Sequence, residues 1–258
     1  MISMSSVTGD ELYGFEIRGC APQCEPENYD SNTSNDNSEN AIAMESSNDN
    51  KLHDIYFTVI SLAAVYADSC SNNQLYNCIM DTDFHDCADL WGCSKWHVYN
   101  CYMNTTHDSG VRFADSSDSE VSNCTITYAS GEFSNGGVYF EHAVKNVTVD
   151  WNIFRDMPGI YLGAVYDRAG DNTKGNAIIH DNVFYNCKYD ITNVFPGQMI
   201  YTEYNNLLPT TIATWQAQGY EYGAKISEPI SAQLNVYVSK KNGCRFNRKS
   251  SGRTIYTC

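Results

Sequence analysis

Apolar positions recur along this chain in a three-point figure. Val98, Cys101 and Met103 form one copy, Val121, Cys124 and Ile126 the next, and Val149, Asn152 and Phe154 a third. Each has an apolar residue, a Cys or Asn three positions later, and an apolar residue two beyond that. Leu75, Cys78 and Met80 extend the figure upstream, and Ile179, Asn182 and Phe184 downstream. Weaker copies are Leu12, Phe15 and Ile17, then Ile55, Thr58 and Ile60. Successive copies start 43, 20, 23, 23, 28 and 30 residues apart. A period near 23 with insertions marks a solenoid with one coil per repeat.

A second ladder runs in phase with the first. About nine residues before each anchor lies a short alternating run: Val65 to Ala67, Ala88 to Leu90, Val111 to Phe113, Val138 to Phe140, Ile160 to Leu162. Alternation is strand periodicity, and the runs are too short for helices. Two or three short strands per coil, separated by Gly, Asn, Asp and Ser, predict a parallel β-solenoid. Leucine-rich repeats share the period, but their Leu-x-x-Leu-x-Leu consensus is missing.

Gly159, Ile160 and Leu162, and then Ile179, Asn182 and Phe184, resemble the G-I-x-L and I-x-x-N-x-I elements of the pectate-lyase-like superfamily. The resemblance covers roughly residues 10 to 208. It implies an all-β fold, a right-handed parallel β-helix over 1–208, with a small C-terminal capping segment over 209–258. It implies carbohydrate chemistry only broadly, since the fold hosts lyases, hydrolases, epimerases and adhesins. The polar stretch from Cys20 to Asn40 reads as an inserted loop. The interruptions at Tyr128 to Gly137 and Gly163 to Asn176 read as loops walling a groove, where this superfamily binds saccharides. Thr211 to Gly219 predicts a short helix. Trp215, Gln216 and Gly219, followed by Ser227 and Pro229, resemble a segment that covers the last coil of many β-helix carbohydrate enzymes. The basic tail reads as a solvated hairpin.

Charge narrows the partners. Lys and Arg number 16 against 31 Asp and Glu, a net charge of −15. That disfavours nucleic acid, which needs basic groups against its phosphates. An anionic glycan would need local Arg, Lys or a bridging cation. No apolar run is long enough to span a membrane. Residues 10 to 19 read as the end of a first visible coil, so N-terminal coils and a signal peptide are expected to be missing from a secreted or cell-surface protein.

The 11 cysteines divide by register. Cys78, Cys101 and Cys124 share one ladder position and should stack at about 4.8 Å. They suit a narrow interior as free thiols, although that spacing also permits bridging. Cys70 and Cys93 form another register-matched pair. Cys244 and Cys258 are the best disulfide candidates, and Cys20 and Cys24 lack the second pair a structural zinc needs. The acidic run from Asp81 to Asp86 offers oxygen ligands to Ca²⁺ but lacks EF-hand spacing. No cofactor is required, no metal site is expected, and Ca²⁺ stays open.

Aligning the strand runs by their anchors sorts the outward positions into columns. One holds Tyr66, Asp89, Arg112, Tyr139 and Tyr161; the next holds Asp68, Trp91, Ala114, Glu141 and Gly163. Four residues before the first column lie Leu62, His85, Asp108, Asn135 and Met157. Charged and aromatic side chains concentrate in the middle coils. Asp89, Arg112, Glu141, Asp108 and His85 are the candidate catalytic residues. Tyr66, Trp91, His107, Tyr139, Tyr161 and His142 are candidates for substrate binding. A hydrolase needs two carboxylates; a lyase needs a base and a cation against a uronate carboxylate, roles open to Arg112, His85, His107 or Tyr139. Plain cross-strand pairs, Asp89 with Arg112 and His85 with Asp108, are the bland alternative.

The carboxylate cluster, and the absence of a Lys–Arg pair on the central strands, favour glycoside hydrolysis of a surface or matrix heteropolysaccharide over β-elimination. A non-catalytic glycan-binding adhesin is the rival class. The Asn-, Tyr- and Ser-rich coils are similar to methanogenic-archaeal surface β-helix proteins of the disaggregatase type, enzymes that degrade a cell-binding matrix.

Overall fold

Each coil turns three corners, and the residues at those corners explain the chain's wealth of Asn, Asp and Ser. The first corner carries Ser46, Ser69, Gly92, Asp115 and His142 in successive coils; the second carries Asp49, Asn72, Lys95, Asp118 and Asn146; the third carries Asp54, Asn77, Asn100, Asn123, Trp151 and Asp181. All have positive φ. Left-handed backbone costs most L-residues about 1–2 kcal/mol, least Asn, Asp and Gly, so these types gather where the chain must bend this way.

The computed structural model describes residues 1–19, 40–60, 62–82, 85–105, 108–128, 136–157, 163–168, 175–187, 189–193, 199–204 and 255–257. Between corners run three strands per coil, such as Ala88–Trp91, His97–Tyr99 and Tyr102–Thr105. Each pairs in parallel with its counterpart one coil on, giving three sheets of eight strands along one axis. No helix occurs among the described residues, so none is long and apolar enough to cross a membrane. The predicted all-β parallel β-helix is what the chain builds.

The interior is a set of columns. Leu52, Leu75, Val98, Val121, Val149 and Ile179 stack as one, all fully buried. This corrects the early register. The repeat anchor in the second coil is Leu52, with Ile55 and Phe57 beneath the cysteine and methionine positions, not Ile55, Thr58 and Ile60. Both triplets satisfy the apolar spacing, and only the former pairs with Leu75. The first coil also begins earlier than the pattern indicated, with a strand at Ile2–Ser5.

Cys78, Cys101 and Cys124 form the predicted buried stack of free thiols, and the column passes into Asn152 and Asn182. Thiol and amide do the same work there. The Cys101 N–H donates to Cys124 Sγ at 3.4 Å, and the Cys124 N–H donates to Asn152 Oδ1 at 2.9 Å. Burial pushes the Cys101 and Cys124 thiols well above their ordinary range, so they are inert. Cys70 and Cys93 are likewise free. Cys20, Cys24, Cys244 and Cys258 lie outside the described residues, as do the loop after Cys20, the expected helix at 211–219 and most of 209–258. Of that last segment, Ile255–Thr257 is described, as a strand parallel to Glu16–Arg18.

Two expectations near the C-terminal coils need correction. Gly163–Arg168 is a strand of the first sheet rather than a loop. Its pairing sets Tyr166 beside Tyr139 and Arg168 beside Glu141. Met157 ends the strand Ile153–Met157 of another sheet, paired with Cys187. The coil lengthens to 28 and then 30 residues here, and a fixed offset from the anchor no longer finds the strand.

Candidate functional site

The first sheet presents its outward face as two parallel columns. Tyr66, Asp89, Arg112 and Tyr139 are consecutive in one; Asp68, Trp91, Ala114 and Glu141 in the other. The predicted columns are thus correct through four coils, and in the fifth Tyr166 takes the position expected of Tyr161. Tyr161 and His107 lie outside the described residues.

Arg112 is the hub. Its Nη2 donates to Glu141 Oε2. Its Nη1 faces Asp89 Oδ2 at 3.8 Å and Asp86 Oδ2 at 3.9 Å. The guanidinium lies 4.6 Å from the Trp91 ring and 5.6 Å from the Tyr139 ring, both within cation–π range. Tyr139 is only 1% exposed. It therefore supports Arg112 and cannot stack on a sugar, a correction to its expected substrate-binding role. An outward strand position does not guarantee access once neighbouring side chains close over it. Trp91 keeps partial exposure, with His142 tilted against it at 5.8 Å, and His142 Nε2 lies 3.9 Å from Glu141 Oε1.

Asp86, expected only as the end of the acidic run and not as a catalytic or substrate-binding residue, is fully buried. Its Oδ1 accepts from the backbone N–H of Ser109 at 2.8 Å and from the Ser109 hydroxyl. Asn40 does the same structural task two coils earlier, accepting the N–H of Ala63 at 3.0 Å. An Asp in an asparagine ladder position brings a charge the ladder does not need. The second oxygen of Asp86 meets His85 Nδ1 at 2.9 Å, while His85 Nε2 faces Asp108 Oδ2 at 3.6 Å. The 23-residue offset from Asn40 through residue 63 was the available sequence signal.

This crowding sets the protonation states. Burial raises Asp89 to about 7; Arg112 opposes the rise and Asp86 reinforces it. Burial alone would lower His85, but the Asp86 and Asp108 carboxylates outweigh it and carry the imidazole to about 9. Asp86 is driven down against its burial, first by His85 and then by Arg112 and Ser109. Burial raises the Tyr66 phenol to about 12, with Asp68 and Asp89 adding to it. Neutral pH therefore finds an imidazolium, a guanidinium, and a carboxyl at Asp89 poised near half-protonation.

His85, Asp86 and Asp108 each bring one potential ligand atom within 4.8 Å of the others. The Arg112 guanidinium also faces Asp86, at 3.9 Å, so a divalent cation held by these three would share Asp86 with it. Asp81, the start of the acidic run, points elsewhere: it accepts from Asn104 Nδ2 at 2.8 Å on the third sheet.

Structures of similar outline include two variants of the periplasmic alginate epimerase AlgG. One aligns at 9% identity and a TM-score of 0.46 over 66% of this chain and 48% of its own. The other aligns at 10% identity and a TM-score of 0.47 over 80% and 58%. A third, described as a glycoside hydrolase, aligns at 13% identity and a TM-score of 0.44 over 71% and 40%. The chain spans about half the length of these structures. No curated protein sequence matches it. Residues 28–173 match the family model for the right-handed β-helix region. With three parallel sheets wound coil upon coil along the same residues, the chain belongs to the right-handed β-helix family.

Proposed function

We propose that this protein is an extracellular glycoside hydrolase acting on a cell-surface or matrix heteropolysaccharide. One observation carries the reading: a single guanidinium holds a carboxyl that keeps a proton to about pH 7, Asp89, and a second carboxylate that it salt-bridges, Glu141. Hydrolysis of a glycosidic bond asks for that division, one carboxyl to protonate the leaving oxygen and one carboxylate to attack or to activate water. Asp89 gives its proton to the glycosidic oxygen as the bond to the anomeric carbon breaks. Glu141 supplies the electron pair at that carbon, directly or through water. Asp89 is 4% exposed, so the sugar must seat fully against the sheet. Trp91, His142 and Tyr66 border that seat.

β-Elimination is the weaker reading, since Arg112 is committed to protein carboxylates and is not free to neutralise a uronate. The reading needs no cofactor: dialysis against EDTA should leave turnover unchanged, and loss restored by Ca²⁺ would reopen the metal.

The deciding experiment measures turnover and glycan affinity together, reading both new reducing ends and the absorbance of unsaturated products. Asp89→Asn and Glu141→Gln should each lower turnover by about 10²- to 10⁴-fold with affinity for the cleaved polymer largely kept. Parental turnover in both variants would place the chemistry elsewhere. A parent without turnover, losing affinity in Trp91→Ala, would be a glycan-binding module.

A further inference from the structure

We propose that the sugar unit seated at the Arg112 cluster is uncharged, and that a uronate carboxylate is excluded from that position. The proposal rests on the reading of this cluster as the place where a glycan chain is held.

Arg112 and His85 are the cations that the described side chains bring into the cluster, and the protein's own carboxylates flank both. Arg112 spends Nη2 on Glu141 and Nη1 on Asp89 and Asp86. Trp91 and Tyr139 lie against its guanidinium, and only 16% of its side chain is exposed. His85 has one ring nitrogen against Asp86 and the other against Asp108. Four acidic side chains thus surround two cations, and the surplus is negative.

Arg112 Nε is enclosed, so an incoming carboxylate would have to compete with Glu141, Asp89 and Asp86 for the two outer nitrogens. Displacing one of them strands a largely buried carboxylate without its partner, a costly change. It would also enter a field that the net charge of −15 extends across the molecule. A neutral sugar meets the opposite situation. Its hydroxyls are donors, and Glu141 and Asp108 are acceptor-only groups with oxygens at the rim. In a polymer of mixed units, the bond chosen would be one at a neutral residue.

The test uses the intact chain and two pairs of probes: polygalacturonate and alginate, each beside its carboxyl-reduced neutral form with the same linkages. Affinity is read by electrophoresis in polymer-containing gels and by calorimetry at 0.5 M NaCl, where the Debye length is below about 10 Å and the distant field is screened. At least one neutral form should bind ten-fold or more tightly than its polyuronate parent, with the other pair never reversed. Equal affinity within both pairs, including none for any member, would overturn the proposal, as would any preference for a polyuronate.

Glu141→Gln frees an Arg112 nitrogen and removes a charge, so it should gain at least five-fold in polyuronate affinity. Asp108→Asn, which frees His85, should shift the same way and serves if the first variant does not fold. No gain in a folded variant of either kind counts against the idea. Arg168→Gln, at the register position beyond Glu141, should leave the ranking unchanged; a ranking that depends on it would contradict the assignment to Arg112. Failure of the hydrolase reading looks different: no turnover on any polymer, with the neutral-over-charged ranking intact.

Discussion

Asp86 and Asp89 are three residues apart, both buried, and the surroundings drive them in opposite directions. Asp86 has the hydrogen bonds of a ladder asparagine plus His85 and Arg112, so its charge is held. Asp89 has Arg112 at 3.8 Å but also the fields of Asp86 and Glu141, so its proton stays until about pH 7. The folded chain keeps that proton after the unfolded chain has released it near pH 4, so stability falls as pH rises from about 4 to 7 and does not recover above. His85 acts in the same sense: its contribution is complete below its ordinary value of 6.5 and is lost as pH rises through about 9. Asp89→Asn should therefore unfold like the parent at pH 4 and be more stable at pH 8, by an upper figure on the order of 4 kcal/mol. Urea denaturation at several pH values tests this. An Asn variant weaker at every pH would mean that the pair with Arg112 outweighs the burial of Asp89. Stability gained with activity lost is the usual signature of a functional carboxyl.

At the scale of the element, the repeated Cys/Asn position is a backbone device. Asn152 is buried; its amide donates to Val121 O at 2.9 Å and Asn182 Oδ1 at 3.1 Å, and its oxygen accepts the Cys124 N–H. Asn152→Ala leaves buried groups unmatched at about 1–3 kcal/mol each, for an expected loss of about 3–5 kcal/mol in chemical denaturation. Cys124→Ala should cost less, about 1–3 kcal/mol, because a thiol is the weaker acceptor. A loss under about 0.5 kcal/mol for Asn152→Ala would place it among ordinary surface changes and remove the ladder's energetic role. The corners obey a related rule: Lys95 and Trp151 hold left-handed backbone where other coils have Asn or Asp, and nothing in the structure explains those two choices.

For the whole molecule, a strand edge left without a neighbour is where another chain can add. Ile255–Thr257 runs beside Glu16–Arg18 and so shields an edge of the first coil. A chain ending at Leu208 should uncover that edge and aggregate, with the Arg112 cluster untouched. Light scattering and thermal denaturation give the answer, and a truncated chain that stayed monomeric and equally heat-stable would show the segment to be dispensable. The acidic surface opposes self-association in the intact chain.

The chain's period alone carried the coil, the parallel pairing, the thiol stack and the strand neighbours of Arg112, Asp89 and Tyr139. In a solenoid of constant coil length, a sequence offset of 23 is a spatial distance of one strand, so columns can be drawn without coordinates. The same reasoning lapses where the coil length changes, which is why Tyr166 rather than Tyr161 follows Tyr139. Two apolar triplets fitted the second coil equally, and only pairing with Leu75 chose Leu52. Burial and protonation were decided in three dimensions. Tyr139 closes beneath Arg112, Asp86 becomes a charge inside a structural ladder, and Asp89 keeps a proton, because each depends on how many charges and how little water surround the group. A sequence shows which residues can meet; the packed structure sets what they become on meeting.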